Sequence, residues 1–442
     1  MARPHKARTL FVWMNGERVG QWVTTAQDVQ EFAYSKEWIE SPEARPISLS
    51  MPVVPDGTTY RGPVVERFFE NLLPDSKDIR HRIRLRFRAK SDKAFDLLTQ
   101  IGSDCIGAIQ LTTFDDAPEV RKINGTPIDE KGIAELLNKT VSAPTVGRIE
   151  DEEEDLRFSL PGAHEKTALL RVDGKWLRPH GATPTTHILK LPIGNAAPGV
   201  DMHTSIENEW LCAQILRAYG VDAADCWMDQ FCDQETLVVE RFDRRMSRDR
   251  GWILRLPQED LCQATATGRD QKYESDGGPS IEKIMDVLLG AMQPEQDRLD
   301  FYRTQILFWM LCAIDGHAKN FGIFLEAGGQ YRLTPRYDVL SAFPVLGSKA
   351  GHLSPHKVKM AMGVRGDGRR HYRWDSILLR HWQSQAKRCG MSAKFDSILT
   401  ALLQDTPRVI AQVESILPTG FPASVQEPIL KGLTEAVRRL TA

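Results

Sequence analysis

The chain has 442 residues and a mass of 49.9 kDa, and its 57 Lys and Arg nearly balance its 59 Asp and Glu, which leaves a formal net charge of −2. This balance excludes a polycationic nucleic-acid binder, although it leaves room for a local basic surface. With 41% hydrophobic and 26% charged residues, the composition is that of a globular protein and excludes a disordered or collagen-like chain.

At roughly 150 residues per domain the length predicts two or three domains, and the first of them is β-rich. Asn15-Gly16 between two apolar runs predicts a hairpin over residues 9–23. A helical section is predicted from about residue 62 to 102, and another strand over 105–112. Five Arg alternate with other residues over 80–90, as on a solvated helix face or in a contact with phosphate or an acidic partner.

The middle of the chain is predicted to be mixed α/β. Six consecutive acidic residues, 150–155, indicate a solvated loop near a domain boundary. Thr204-Ser-Ile-Glu207 is a capping-box pattern that opens a helix, and Gly220 closes that helix. Strands are predicted over 167–172, 186–191 and 236–242.

From about residue 280 onward the predicted structure is mostly helical. Residues 281–289 have an amphipathic helical pattern, and 302–314 is apolar nearly all round, which indicates a buried central helix. Gly328-Gly329 lies in an apparent hairpin over residues 321–333. Two more helical sections, near 375–389 and 425–440, are predicted at the end of the chain.

Cysteine usage and hydropathy indicate the compartment. The seven Cys form no C-x-x-C pair and several have apolar neighbours, so we expect free thiols in a reducing cytosol. The apolar stretch of residues 10–14 is too short for a signal peptide, and the longest apolar run, 306–314, is too short to cross a bilayer. We therefore expect a cytoplasmic protein that neither spans nor binds a membrane.

Three oxygen-bearing side chains follow the predicted buried helix. Asp315 and Asn320 have the spacing D-x-x-x-x-N, and Asp338 lies 18 residues beyond Asn320, after the hairpin. Kinases use such a trio, because one Asp orients the acceptor hydroxyl and accepts its proton while the Asn and the second Asp hold Mg²⁺ on the nucleotide phosphates. The same three residues would also fit a turn cap and two ordinary loop positions.

Three upstream features agree with this chemistry, although each alone is weak. Lys190 lies mid-strand between apolar neighbours, where it would clamp phosphates or simply face solvent. Glu240 and Phe242 end an apolar strand, which fits either a hinge whose backbone binds adenine or an ordinary strand end. Residues 159–166 form a Gly-containing turn that could aim backbone N–H groups at phosphates, but they do not match a Walker loop.

Other catalytic patterns are missing from the sequence. The 11 His make no H-E-x-x-H and no spaced metal cluster, and no G-x-S-x-G elbow supports a hydrolase triad. Residues 366–373 form a basic, Gly-containing loop, which is either a solvated loop or a contact with nucleic acid.

A series of motifs runs in order from about residue 10 to residue 420. The motifs are Trp13-Met-Asn15, Asn71-Leu-Leu-Pro-Asp75, Phe95-Asp-Leu-Leu98, Gly162-Ala-x-Glu-Lys-Thr-Ala-Leu-Leu170, Thr183-Pro-Thr-Thr-His-Ile-x-Lys-Leu-Pro192, Val239-Glu-Arg-Phe-Asp-Arg244, Leu256-Pro-Gln-Glu-Asp260, Lys272-Tyr-Glu-Ser-Asp-Gly-Gly278, Asp315-Gly-His-Ala-Lys-Asn320 and Tyr337-Asp338. Together they resemble the HipA family of bacterial serine/threonine kinase toxins.

The resemblance implies an α+β, bilobal protein-kinase-like fold with an additional N-terminal β-rich subdomain. We expect this subdomain over residues 1–115. An N-lobe with the phosphate-binding loop and hinge is expected over 116–255, and an all-helical C-terminal lobe with the catalytic loop over 256–442.

The resemblance also implies roles for individual residues. Asp315 is the expected catalytic residue, and Asn320 and Asp338 are the expected Mg²⁺ ligands. Ser159 aligns with a Ser that the family autophosphorylates, which displaces the loop and inactivates the kinase. The family loop usually reads Gly-x-Gln, and His164 departs from that pattern. The residues expected to bind ATP are Lys190, Leu160, Pro161, Gly162, Ala163, His164, Glu165, Lys166, Glu240, Phe242, Gln258, His317 and Tyr337.

The implied function is that of a toxin that uses ATP and Mg²⁺ to phosphorylate an aminoacyl-tRNA synthetase, in particular the glutamyl enzyme, and so arrests translation. The expected partners are a small helix-turn-helix, HipB-like antitoxin and, through their complex, operator DNA.

Two other classes of function are a non-catalytic corepressor and a small-molecule phosphotransferase. The intact Asp/Asn/Asp trio argues against the first, and the Ser159 loop with the N-terminal subdomain argues against the second.

Overall fold

The structure is a computed structural model, and it describes residues 7–141, 159–162, 164–196, 199–366 and 368–441. The acidic run 150–155 and Ala163, both singled out in the sequence, lie outside the described residues. The described chain folds into an N-terminal five-stranded sheet with helices, a central six-stranded sheet and a mainly helical C-terminal part.

The N-terminal part confirms the predicted hairpin. Its elements are β1 (Arg8–Met14), β2 (Glu17–Thr24), β3 (Gln30–Tyr34), α1 (Lys36–Glu40), β4 (Thr59–Arg61), α2 (Pro63–Glu70), α3 (Lys77–Arg86), α4 (Ala94–Ile101) and β5 (Ile109–Thr112). Asn15 and Gly16 both have positive φ, as a two-residue hairpin turn requires. The strands take the order β4-β3-β2-β1-β5, and Trp22 stacks on Phe69 with ring centroids 3.8 Å apart.

The central sheet carries Lys190 on one of its inner strands. The elements of this part of the chain are β6 (Gly125–Pro127), α5 (Glu130–Val141), β7 (Lys166–Val172), β8 (Lys175–Pro179), β9 (His187–Lys190), β10 (Gly194–Ala196), β11 (Val200–Met202), α6 (Ser205–Ala218), β12 (Cys226–Phe231) and β13 (Gln234–Glu240). The antiparallel order of the sheet is β12-β13-β9-β7-β8-β6. β10 and β11 pair with each other outside the central sheet. The predicted capping box is wrong, because the Thr204 side chain makes no cap hydrogen bond.

The C-terminal part is mainly helical but also contains strands, so the prediction of an all-helical lobe is wrong. Its elements are β14 (Arg244–Met246), β15 (Ile253–Arg255), β16 (Gln258–Asp260), α7 (Leu261–Ala264), α8 (Ile281–Val287), α9 (Pro294–Met310), β17 (Gly322–Leu325), β18 (Tyr331–Leu333), β19 (Lys359–Arg365), β20 (Arg370–Arg373), α10 (Leu379–Arg388), α11 (Ser392–Ser415) and α12 (Ala423–Thr441). β16, β17 and β18 form one sheet. α9 is the predicted buried helix, and it ends at Met310.

A buried ion cluster joins the N-terminal part to the central sheet. Asp104 accepts hydrogen bonds from the Thr185 hydroxyl at 2.7 Å and from the Arg244 guanidinium at 2.8 Å. Arg241 lies 3.3 Å from Asp104 and 2.9 Å from Asp243. Burial alone would raise the pKa of Asp104, but the arginines more than offset it and lower that pKa. The cluster therefore holds the hinge segment against the N-terminal part.

The described residues include no helix with both the length and the apolar character that a membrane span needs. All seven Cys are free thiols, and only Cys232 is exposed. Burial raises the pKa of Cys105 and of Cys212 to about 12, so these two thiols stay protonated.

Candidate active site

The residues predicted for phosphate transfer meet in one cleft between the central sheet and the helical part. Lys190, Asp315, Asn320 and Asp338 all line this cleft. The other predicted residues that line it are Leu160, Pro161, Gly162, His164, Lys166, Glu240, Phe242, Gln258, His317 and Tyr337. Glu165 lines an adjoining pocket. The structure therefore brings together residues that are widely separated in the sequence.

The Lys190 ammonium lies at the end of β9 between two carboxylates. It donates hydrogen bonds to Glu209 Oε1 at 2.6 Å and to Asp338 Oδ1 at 2.8 Å. Burial would lower the pKa of Lys190, but the two carboxylates raise it, so the side chain is charged. Glu209 on α6 was missed in the sequence, although an acid among the buried apolar residues of a helix needs a cationic partner.

Asp338 is held in a strained backbone conformation. Its φ of 59° is left-handed, which is uncommon for a residue other than glycine, and such strain is concentrated at functional sites. Burial would raise the pKa of Asp338, but Lys190 and Lys166 lower it well below its usual range, so the carboxylate is ionised. The preceding Tyr337 donates its hydroxyl proton to the Lys319 carbonyl at 2.8 Å, which ties Asp338 to the loop that carries Asn320.

The loop that carries Asp315 and Asn320 follows α9 and is closed by its own hydrogen bonds. The Asn320 side-chain amide donates to the Asp315 carbonyl at 2.9 Å. Gly316 packs so closely on Phe308 that a Cβ there would lie 2.4 Å from the ring, so only glycine fits without movement. The Asp315 side chain is 60% exposed, and its Oδ1 accepts a hydrogen bond from the Tyr273 hydroxyl at 2.5 Å.

Lys319 lies in the same loop but faces the N-terminal part of the chain. Its buried ammonium donates to Asn71 Oδ1 at 2.8 Å and to the Asn71 carbonyl at 3.1 Å. Asp75 and Asp260 lie 3.6 and 3.5 Å from it. Burial would lower the pKa of Lys319, but Asp260 and Asp75 raise it. The N-terminal part therefore directly supports the loop that carries Asp315 and Asn320, which sequence reasoning missed.

The segment that contains Ser159 is docked against the N-terminal part. Ser159 is fully buried, its hydroxyl donates to the Leu72 carbonyl at 2.6 Å, and its N–H donates to the Asp104 carbonyl at 3.0 Å. Gly162 has a φ of 117°, and a Cβ there would lie 2.5 Å from Lys166 Nζ. Burial lowers the pKa of Lys166 to about 8. In this conformation the Ser159 hydroxyl does not face the cleft.

The end of the cleft that was predicted to bind adenine lies at the end of β13. The Glu240 N–H already donates to the Asp225 carbonyl at 2.7 Å, so a contact of Glu240 with adenine would use its carbonyl. The Phe242 ring lies 5.7 Å from the ring of Tyr337 and 5.8 Å from that of Phe324. These rings give this end of the cleft an apolar wall.

The donor set of the cleft fits a nucleotide with a hard divalent cation. Asn320 and Asp338 offer an amide and a carboxylate oxygen, which Mg²⁺ prefers. Within the described residues no group of three or more His, Cys, Asp or Glu could hold a metal alone. Proteins commonly bind Mg²⁺ through one or two side chains together with substrate phosphates.

Comparisons with known proteins agree along nearly the whole chain. The model of the HipA-like C-terminal domain matches residues 158–410, and that of the HipA N-terminal domain matches residues 10–112. The Y4mE protein of Sinorhizobium fredii is 32% identical over 415 residues, which cover 92% of each chain. The serine/threonine-protein kinase toxin HipA of Shewanella oneidensis is 25% identical over 70% of this chain and 69% of that protein.

A solved structure shows a similar fold. It is the Shewanella oneidensis complex of HipA, HipB and their operator DNA, and the matched chain is 22% identical with a TM-score of 0.78. The match covers 98% of this chain and 97% of that chain. The N-terminal sheet, the central sheet and the mainly helical C-terminal part are therefore shared with that fold.

Proposed function

The chain belongs to the HipA family of kinases, and from this premise we propose that it is an ATP- and Mg²⁺-dependent serine/threonine protein kinase and the toxin of a toxin–antitoxin pair. We propose two lobes on either side of the cleft and retain the boundaries near residues 115 and 255. The observation that carries the proposal is the convergence of Lys190, Asp315, Asn320 and Asp338 in one cleft.

In the proposed reaction Asp315 accepts the proton of a Ser hydroxyl while that oxygen forms a bond to the γ-phosphorus of ATP. The bond between this phosphorus and the β,γ-bridging oxygen breaks, and ADP leaves. Lys190 would offset charge on the nucleotide phosphates. Asn320 and Asp338 would hold Mg²⁺, which stabilises the negative charge on the transferred group when bound.

The substitution Asp315→Asn tests this assignment. It keeps the size of the side chain and removes the proton acceptor, so we expect phosphoryl transfer to fall about 10²–10⁴-fold. Transfer from radiolabelled ATP measures the loss, and nucleotide affinity by calorimetry shows whether the cleft is intact. Asp286→Asn, an exposed change on α8, is the control. Full activity of Asp315→Asn would mean that another group is the base.

We propose Ser159 as the site of autophosphorylation. Support comes from its position in the loop that precedes Lys166 and from its alignment with the family motif. Because the Ser159 hydroxyl is buried, the loop would have to detach from the N-terminal part before this hydroxyl could reach the phosphates of ATP. Mass spectrometry of the incubated protein would identify the modified residue.

The proposed partners are a HipB-like antitoxin and operator DNA. The solved complex of the Shewanella proteins with DNA motivates this proposal. A basic region of the C-terminal part supports a DNA contact, since phosphate contacts dominate such binding. This region spans residues 357–388, and its exposed cations are Lys357, Lys359, Arg369, Arg373, Arg380, Lys387 and Arg388. Gel-shift assays with and without the antitoxin would test it.

The proposed cellular target is an aminoacyl-tRNA synthetase of the glutamyl type, which rests on the family resemblance alone. Phosphoproteomics after induced expression is the direct test. A corepressor without catalysis is the second candidate, and the intact Asp315, Asn320 and Asp338 set argues against it. Phosphate transfer by the pure chain separates the two.

A further inference from the structure

The segment of residues 269–278 lies between three other parts of the molecule. On one side Lys272 donates to Asp75 Oδ2 at 2.9 Å, and Arg269 donates to the Asp75 carbonyl at 3.1 Å. On the other side Glu274 Oε2 accepts the Gly363 N–H at 2.6 Å, on β19. The segment is therefore held from two sides, by the N-terminal part and by the hairpin of β19 and β20.

Tyr273 lies at the centre of this segment and contacts the catalytic loop. Its hydroxyl is 2.5 Å from Asp315 Oδ1, and its ring packs edge-on against His317 with centroids 5.1 Å apart. Burial and the negative charge of Asp315 raise the pKa of Tyr273, so the hydroxyl keeps its proton and acts as the donor.

The backbone around Tyr273 leaves little freedom for its side chain. The Tyr273 carbonyl accepts the N–H groups of Asp276 at 3.0 Å and Gly278 at 2.9 Å. Gly278 is so close to Gln271 that a Cβ there would lie 2.3 Å from the Gln271 carbonyl oxygen. This compact turn holds the backbone from which the tyrosine hydroxyl reaches Asp315 as a donor.

We propose that Tyr273 is a positioning residue that holds the Asp315 carboxylate in the orientation that accepts the proton of the acceptor hydroxyl. The inference rests on the proposed kinase function. With Oδ1 engaged by Tyr273, the second oxygen, Oδ2, is directed to the acceptor. A half-exposed carboxylate without this bond would rotate among several orientations, and only a fraction of them would be productive.

The test is Tyr273→Phe, which removes one oxygen and keeps the ring. A hydrogen bond to a charged group corresponds to about 10- to 100-fold in rate, so we expect kcat for phosphoryl transfer to fall by that factor. The KM for ATP and the calorimetric affinity for nucleotide should stay unchanged, since a general loss of structure would alter both. Tyr60→Phe, which removes a hydroxyl bonded to the Pro52 carbonyl in the N-terminal part, is the matched control and should keep full activity.

A double-mutant cycle separates this inference from the proposed function. In the Asp315→Asn background the further change Tyr273→Phe should cost no more than about twofold, because its effect acts through Asp315. Unchanged or increased kcat of Tyr273→Phe would overturn the proposal, and an increase would mean that the hydroxyl blocks the acceptor site. Equal losses in both backgrounds would also overturn it. Absence of transfer by the unmodified protein would instead remove the kinase proposal.

Discussion

The Lys190 ammonium is the centre of an ion triad in the cleft. Lys190 lies between Glu209 and Asp338, at 2.6 and 2.8 Å, in an interior where unpaired charges are costly. Glu209 on α6 holds the lysine beside Asp338, and under the proposed function Lys190 would then meet the nucleotide phosphates while Asp338 would bind the metal.

Glu209→Gln is predicted to impair nucleotide use without abolishing folding. The amide keeps the shape but removes one of the two charges that hold Lys190, and the lysine would then pair more tightly with Asp338. We expect kcat/KM for ATP to fall by about 10-fold or more, since a charge-assisted hydrogen bond is lost. Steady-state kinetics measure the change, and Glu235→Gln on the exposed face of β13 should have none. Unaltered kinetics for Glu209→Gln would show that Lys190 is positioned without it.

At this scale the sequence predicts the residues whose spacing is local and misses those whose partners are distant. Asp315 and Asn320 share one loop, so their spacing was visible in the sequence; it fitted a kinase trio or a turn cap with loop positions, and the family resemblance favoured the kinase roles. The environment of Lys319 could not be predicted, because Asn71 lies 248 positions away and nothing in the loop indicates that the lysine turns toward it. The same holds for Tyr273, whose hydroxyl partner depends on how two loops pack.

Among the structural elements, the docked segment around Ser159 offers the clearest prediction. Ser159→Glu places a carboxylate where the hydroxyl donates to the Leu72 carbonyl in a fully buried site. A buried carboxylate next to the Leu72 carbonyl would be unpaired and would raise the free energy of this conformation, so the segment should detach from the N-terminal part. We expect nucleotide affinity to fall at least 10-fold by calorimetry, and Ser159→Ala to bind nucleotide normally without self-modification. Normal nucleotide binding by Ser159→Glu would argue that the docked conformation of this segment does not depend on the neutral Ser159 hydroxyl.

The element predictions failed where strands are short or a helix breaks a local rule. β16 has only three residues and was missed, whereas the hairpin predicted over residues 321–333 is confirmed by the antiparallel pair β17 and β18. α11 was missed although it has 24 residues, and it contains Pro407, which ordinarily predicts a helix end. By contrast, the Asn15-Gly16 hairpin depends on two adjacent residues and was predicted correctly.

For the molecule as a whole, stability should depend on pH through Glu259. This carboxyl is buried where β16 meets the N-terminal part, and Oε1 accepts the Leu49 N–H at 2.7 Å. Burial raises the pKa of Glu259 to about 8. Between its ordinary pKa and about 8 the folded state therefore binds more protons than the unfolded state, so stability is greatest at the acidic end and falls as the pH rises.

Glu259→Gln should remove this dependence. The amide still accepts the Leu49 N–H and has no proton to lose, so the variant should resemble the original protein at pH 5 and be more stable at pH 8. We expect a difference in Tm of about 2 °C or more at pH 8, measured by calorimetry with Glu235→Gln as the control. Parallel Tm curves for the two proteins between pH 5 and pH 8 would contradict the raised pKa.

The hydrogen bond from the Lys319 ammonium to Asn71 limits how parts of related proteins can be joined in chimaeras. A chimaera can join the first hundred residues of one relative to the remainder of another. Unless its N-terminal part has an asparagine at the position of Asn71, the Lys319 ammonium would be buried without this hydrogen-bond partner. The N-terminal hundred residues and the rest of the chain should therefore be exchanged together. Inactive chimaeras of distant relatives should regain activity once Asn71 and Asp75 are restored.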